Sequence, residues 1–214
     1  MLESRAGVIF VGGIGFFLFA FVSNVVVPVL MYKDQPEKTA EEMVNSNVMY
    51  QFVELSKRYE EPFRQAFGEP TEENCAQALR LGRSLFVGEG CFHCHSQFVR
   101  PVSNESMRYG KVSSSDEYQN ELQRPVLFGT RRVGPDLSRQ GGRHGNDWHA
   151  AHFYHPQSIV PESVMPQYPW FFDGSPDKPN RRGIAMMTYM QWLGSWLDSY
   201  PYYEELDSIK SEGF

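Results

Sequence analysis

Gly88-Glu89-Gly90-Cys91-Phe92-His93-Cys94-His95-Ser96-Gln97 is the stretch on which the reading of this chain turns. Cys-x-x-Cys-His is the attachment signature of haem c. The chemistry sets the spacing: two thiols on one turn each add to one vinyl group of the macrocycle. The next residue, His95, then lies under the ring and offers the iron an imidazole. Other uses of the cysteines compete. A zinc knuckle needs four ligands at matched spacing, and the remaining cysteine, Cys75, is far upstream. A thioredoxin-like redox pair wants a strand leading into the motif, whereas a Gly-ended helical pattern leads into this one. A structural disulfide across so short a loop is uncommon. The spacing therefore predicts one covalent haem c on Cys91 and Cys94, with His95 as an axial ligand.

Working upstream, Thr71 is placed to cap a helix that runs through Ala78, Leu81, Leu85 and Phe86 and stops at Gly88. Cys75 lies among Ala76, Ala78 and Leu79 of that helix, which predicts a buried, inert thiol. Before it, Val44, Val48, Phe52, Leu55 and Tyr59 recur at steps of three and four, predicting an amphipathic helix over Glu41–Tyr59 that Pro62 ends. Further upstream, Ala6 to Tyr32 contains no charged residue. A helix of that length reaches about 40 Å, enough for a hydrocarbon core of about 30 Å. The run is about twice too long for the apolar core of a cleaved signal peptide, and no A-x-A pattern follows it. It predicts a single membrane anchor with Pro28 near its end and no intramembrane proton relay of its own.

The chain thus divides into an anchor over residues 1–33, a linker with an amphipathic helix over 34–70, and a mono-haem cytochrome c domain over 71–214. The expected fold class is all-α: one transmembrane helix, then a helical haem domain with long loops. Flanking charges barely decide orientation. The haem motif decides it better, because haem c is attached outside the cytoplasm in bacteria. The N-terminus is expected in the cytoplasm and the haem domain in the periplasm, at the bacterial inner membrane.

Downstream of the motif, Ser96 to Arg143 reads as loop, with Arg100-Pro101, Gly134-Pro135 and Gly141-Gly142 as punctuation. Asp147–Tyr154 reads as a short helix, and Gly183–Tyr200 as the last one. A haem that shuttles electrons commonly takes a methionine as its second axial ligand. Of the nine methionines, Met165 stands out, in Ser163-Val164-Met165-Pro166, a proline-stiffened loop late in the domain. Met186, Met187 and Met190 have the spacing of core residues, and Met43 and Met49 are expected outside the domain. His144, His149, His152 and His155 are rival ligands; three of them share a helix face at a spacing that could suit metal but more often serves as support.

The net charge of −6 argues against nucleic acid as a partner and suits docking to a basic electron carrier.

Taken together, these residues resemble a known family. Gly82 with Phe86, and Tyr189 with Trp192, look like the crossed terminal helices of class I cytochromes c. His95-Ser96-Gln97-Phe98-Val99-Arg100-Pro101, Arg108-Tyr109-Gly110, Gly134-Pro135-Asp136-Leu137, Gly141-Gly142-Arg143, Asp147-Trp148-His149, Val160-Pro161-Glu162-Ser163, Met165-Pro166 and Tyr168-Pro169-Trp170 resemble the mono-haem subunit II of cbb(3)-type cytochrome c oxidases. That resemblance implies His95 and Met165 as axial ligands and Pro135 as the residue whose carbonyl orients His95. It implies a non-catalytic electron-transfer subunit, with no catalytic residue of its own, inside an oxygen-reducing complex. Its partners would be the haem–copper catalytic subunit and a further cytochrome c subunit or soluble donor. Arg100, Arg131 and Arg143 are propionate or interface partners by charge, and the Gly129-Thr130-Arg131 loop a weak candidate for calcium. Two departures from the family bear on partner contacts: a longer link over 41–59 and a shorter stretch between Trp170 and Gly183. The rival readings are the anchored mono-haem subunit of a bacterial nitric oxide reductase and a free membrane-anchored cytochrome c.

Overall fold

The computed structural model describes residues 2–129 and 131–198, with the side chains of 2–4 left aside. Its contacts divide the chain into two units, the first ending at Glu37 and the second starting at Lys38.

The first unit is one apolar helix, α1 (Leu2–Phe21), continued through a π turn (Val22–Val26) into α2 (Val27–Tyr32). Arg5–Tyr32, 28 residues, is long and apolar enough to cross a membrane. Pro28 lacks an N–H and would break the ladder one turn back. The widened turn just before it accommodates that loss, and Asn24 Nδ2 and Ser23 Oγ donate to Ala20 O at 2.9 and 3.3 Å.

The second unit contains helices and loops, with no strand among the described residues. Asn45 caps α3 (Ser46–Arg58): its Oδ1 accepts from Asn47 N and Val48 N at 3.0 and 3.1 Å. The helix therefore begins later than the periodicity predicts, because Thr39 and Glu42 close a separate turn before it. Tyr59 (φ −122°, ψ 51°) breaks the helix, and α4 (Glu60–Phe67) restarts at once. Pro62 falls in the first turn of α4, where its missing N–H costs nothing, so it opens a helix rather than closing one. Phe52, Phe63 and Phe67 lock the two helices edge to face, with centroids 4.8, 5.9 and 6.1 Å apart.

Thr71 caps α5 (Glu72–Gly88), accepting from Asn74 N at 3.2 Å. After the haem motif come α6 (Glu105–Tyr109), α7 (Asn146–Tyr154) and α8 (Arg181–Trp192). The expected final helix over Gly183–Tyr200 starts two residues earlier and ends at Trp192; residues 199 and 200 lie outside the described part. Residues Gly183 to Trp192 of α8 are all buried. A helix buried all round is a core helix, and here α5, α3, α4 and α7 all pack against it.

The α5–α8 crossing is close. A Cβ on Gly82 would fall 2.4 Å from Ala185 O and 2.5 Å from Tyr189 Cβ, so only glycine admits the approach. Phe86 and Tyr189 meet beside it at 5.7 Å, and Tyr189 and Trp192 at 5.6 Å. The segment before α5 is tied to the same core. Trp192 Nε1 donates to Met43 O at 3.2 Å, and Asn47 Nδ2 donates to Ser195 O at 2.8 Å. Met43 is buried and Met49 packs against the core, so both belong to this unit, contrary to the expectation that they lie outside it. The reason is geometric: α3 and α4 fold back to complete the cover of α8.

Candidate functional site

Gly88 ends α5, Gly90 takes a left-handed conformation (φ 71°), and Cys91–His93 form a single 3₁₀ turn. His95 N donates to Cys91 O at 2.9 Å, which places both cysteines and the histidine on one tight curl. Cys91 is half-buried and Cys94 exposed. Burial pushes the Cys91 thiol up to about 12. Cys75, by contrast, is fully buried in α5, and burial raises its thiol to about 12 as well; it is an inert core residue.

The imidazole of His95 is held from outside the motif. Its Nδ1 lies 2.9 Å from Pro135 O. A carbonyl only accepts, so Nδ1 carries the proton and Nε2 keeps its lone pair. Burial lowers the His95 pKa, keeping the ring neutral, while the Pro135 carbonyl and Asp136 pull the other way. Gly134 makes the approach possible: a Cβ there would fall 2.2 Å from His95 Cε1.

Residues 134–138 are clamped to 94–98. Gly134 N donates to Cys94 O at 3.0 Å and Leu137 N to Ser96 O at 2.8 Å. The buried Asp136 accepts from Ser96 Oγ, Phe98 N and Ser138 N at 2.5, 2.9 and 2.9 Å. Arg132, which the sequence reading passed over in favour of its neighbour Arg131, closes this network. It donates to Ser96 Oγ, Phe98 O and Glu105, and its guanidinium lies 5.1 Å over the Tyr109 ring. Only its i, i+4 spacing to Asp136 hinted at this. A second buried pair, Arg139–Glu117 at 2.6 Å, pins the long loop further out, with Arg139 also donating to Lys111 O.

The segment that carries Met165 is linked to this turn through its neighbours Tyr168 and Trp170. Met165 is half-buried against the hydrophobic core, as are Cys91 and Phe92. Tyr168, three residues on, lies beside Cys91 and draws its thiol down against the larger effect of burial, and Trp170 Nε1 donates to Glu89 at 3.1 Å. The carboxylate of Glu89 also accepts from Arg182 at 2.8 Å.

The arginines proposed from charge alone are less tightly placed. Arg100 is 45% exposed and pairs with Glu105 at 3.6 Å. Arg131 and Arg143 are exposed, and Arg143 lowers the His144 pKa only secondarily to burial. The candidate calcium loop includes Thr130, outside the described residues. Among the described residues no His, Cys, Asp or Glu cluster is arranged to hold a metal ion. Two of the rival histidines instead stack on one ring, with Trp148 between His144 and His152 at 3.8 and 4.5 Å, and His149 meets that ring edge-on at 5.3 Å.

These residues fit a c-type haem. The turn supplies two thiols and an imidazole whose free nitrogen is Nε2, and Met165 is a half-buried thioether on the segment tied to that turn by Tyr168 and Trp170. His152 Nδ1 and Gln157 Oε1 are buried polar atoms without a protein partner, as expected at the margin of a cofactor site.

No curated protein matches the chain. Residues 73–205 match the family described as "Cytochrome C oxidase, mono-heme subunit/FixO". The matched span takes in α5 from its second residue, the Cys91–His95 turn, the Gly134–Ser138 clamp, Met165 and α8. This all-α chain, an apolar helix followed by a cytochrome c domain, belongs to the mono-haem subunit family of cytochrome c oxidase.

Proposed function

We propose that this chain is the electron-relay subunit of a cbb(3)-type haem–copper oxidase. Cys91 and Cys94 would hold one haem c through thioethers, and His95 and Met165 would ligate its iron. The single observation that carries the reading is the His95 Nδ1–Pro135 O contact of 2.9 Å, one residue past the cysteine pair. It presents Nε2 as a lone-pair donor and fixes the ring plane.

The bound haem would supply a one-electron Fe(III)/Fe(II) couple. The chain's own residues set its conditions. Pro135 orients His95, and Gly134 gives the ring room. Met165 would give the iron a neutral, polarizable sulfur, which favours the reduced state relative to bis-histidine ligation. Phe86, Tyr189 and Trp192 exclude water behind the cysteine turn. Arg143 is the candidate propionate partner, an assignment that rests on charge and family resemblance.

In this reading residues 1–33 anchor the chain in the bacterial inner membrane, with the N-terminus cytoplasmic. Residues 34–70 brace a mono-haem domain over 71–214 that faces the periplasm. Electrons pass from a sister cytochrome c subunit or soluble donor, through this haem, to the haem b and haem–copper centres of the catalytic subunit, where oxygen is reduced. Purification from membranes tests it. Haem b and copper should copurify with the chain; an isolated cytochrome lacking both would point to a free carrier, and haem b with non-haem iron to a nitric oxide reductase.

A further inference from the structure

Residues 164–167, the segment that carries Met165, make no backbone-to-backbone hydrogen bond within the described part of the chain. A thioether on so loosely tied a segment would lose conformational freedom on binding iron, and that loss opposes the bond. Two side chains supply the missing ties, Gln157 most of them. Gln157 Nε2 donates to Ser163 O at 2.9 Å and to Met165 O at 3.3 Å, bracketing Val164. Ser163 Oγ adds a third tie, accepting from Met165 N at 3.2 Å.

Gln157 is itself well placed to act as a fixed post. It sits in the 3₁₀ turn Pro156–Ser158 that follows α7 directly. Ser158 N donates to His155 O and Val160 N to Pro156 O, each at 2.9 Å. Its Oε1 is buried without a protein partner. The amide is therefore half used: the N–H half is spent on the loop and the oxygen half is unsatisfied. A residue present only to fill space would be better as leucine, which buries no orphan acceptor.

We propose that Gln157 is the positioning residue for Met165, its amide holding the two carbonyls that flank Val164 so that the sulfur stays against the haem iron. The inference rests on Met165 being the sixth ligand. Losing two net hydrogen bonds would shift the loop toward its open, unligated arrangement by roughly tenfold to a hundredfold.

The test uses the full-length, haem-loaded chain in detergent, with Gln157→Leu, Gln157→Glu and Met165→Leu beside the parent. Glutamate keeps the shape of glutamine but brings no N–H to the two carbonyls. Three quantities are read: the sulfur-to-iron charge-transfer band of the ferric form, the midpoint potential, and the fraction of ferrous protein that takes up carbon monoxide. With attached haem unchanged by mass, both Gln157 variants should weaken the band, lower the potential and raise carbon monoxide uptake roughly tenfold or more. If both keep the parent's band and potential while Met165→Leu loses them, the tether is wrong and the ligand assignment survives. If Met165→Leu also keeps them, the ligand assignment fails and takes the inference with it. Loss of haem from Gln157→Leu beside an intact band in Gln157→Glu overturns it too, since the effect would then be on folding.

Discussion

The Nδ1 of His95 lies 2.9 Å from the carbonyl oxygen of Pro135, forty residues along the chain. That one contact fixes the tautomer and leaves Nε2 with its lone pair. It depends on the clamp between 94–98 and 134–138 and on the missing side chain at Gly134. Proximal geometry is therefore set by a loop that touches the cysteine turn.

Gly134→Ala should disturb this first. Its Cβ would overlap His95 Cε1 at 2.2 Å, so the ring or the loop must move, at about 1–3 kcal/mol. The variant should unfold at lower denaturant concentration and carry less attached haem. Unchanged stability and haem content would show that the loop adapts freely.

Met165→Ala should lower the midpoint potential and open the iron to carbon monoxide, because the neutral sulfur that favours the reduced state is gone. Redox titration and ferrous difference spectra check this. A parent-like potential and spectrum would remove Met165 from the iron.

Gly82→Ala places a methyl against Ala185 O and Tyr189 Cβ, both part of α8 rather than of a flexible side-chain tip. The helices must part, at roughly 1–3 kcal/mol, seen as a lower thermal midpoint of the haem-loaded protein. The haem spectrum should change little, since the site's ligands lie elsewhere.

Stability should fall with pH below neutrality. Burial, with His144 and His152 nearby, lowers the His149 pKa from 6.5 to about 3. The folded state thus binds fewer protons than the unfolded chain between those values. Stability is full above about 6.5 and declines as pH falls toward 3, by at most about 1.4 kcal/mol per pH unit. Thermal midpoints across pH 4–8 should show a shallower slope for His149→Phe; an equal slope would place the titration elsewhere.

Much of this architecture was legible in the sequence because it is local. Cys91–His95, the Thr71 cap and the apolar run before Tyr32 each declare themselves within a few residues. The Gly82 crossing was legible by resemblance alone, since nothing in the spacing says what Gly82 faces. Periodicity misplaced the start of α3 because Val44 fits the apolar stripe while Asn45 diverts the chain to cap it. Pro62 was misread because proline ends one helix and opens the next with the same chemistry. Arg132, Arg139 and Gln157 were missed altogether. Their partners, Glu105 and Asp136, Glu117, and Ser163 with Met165, become neighbours only once the loops have folded.

A covalent haem on two cysteines adds a fixed mass to the polypeptide, which intact mass under denaturing conditions reads. The full-length chain should carry the added mass of one haem, and digestion should leave it on the peptide holding Cys91 and Cys94. The parent protein released at its bare polypeptide mass would contradict the account.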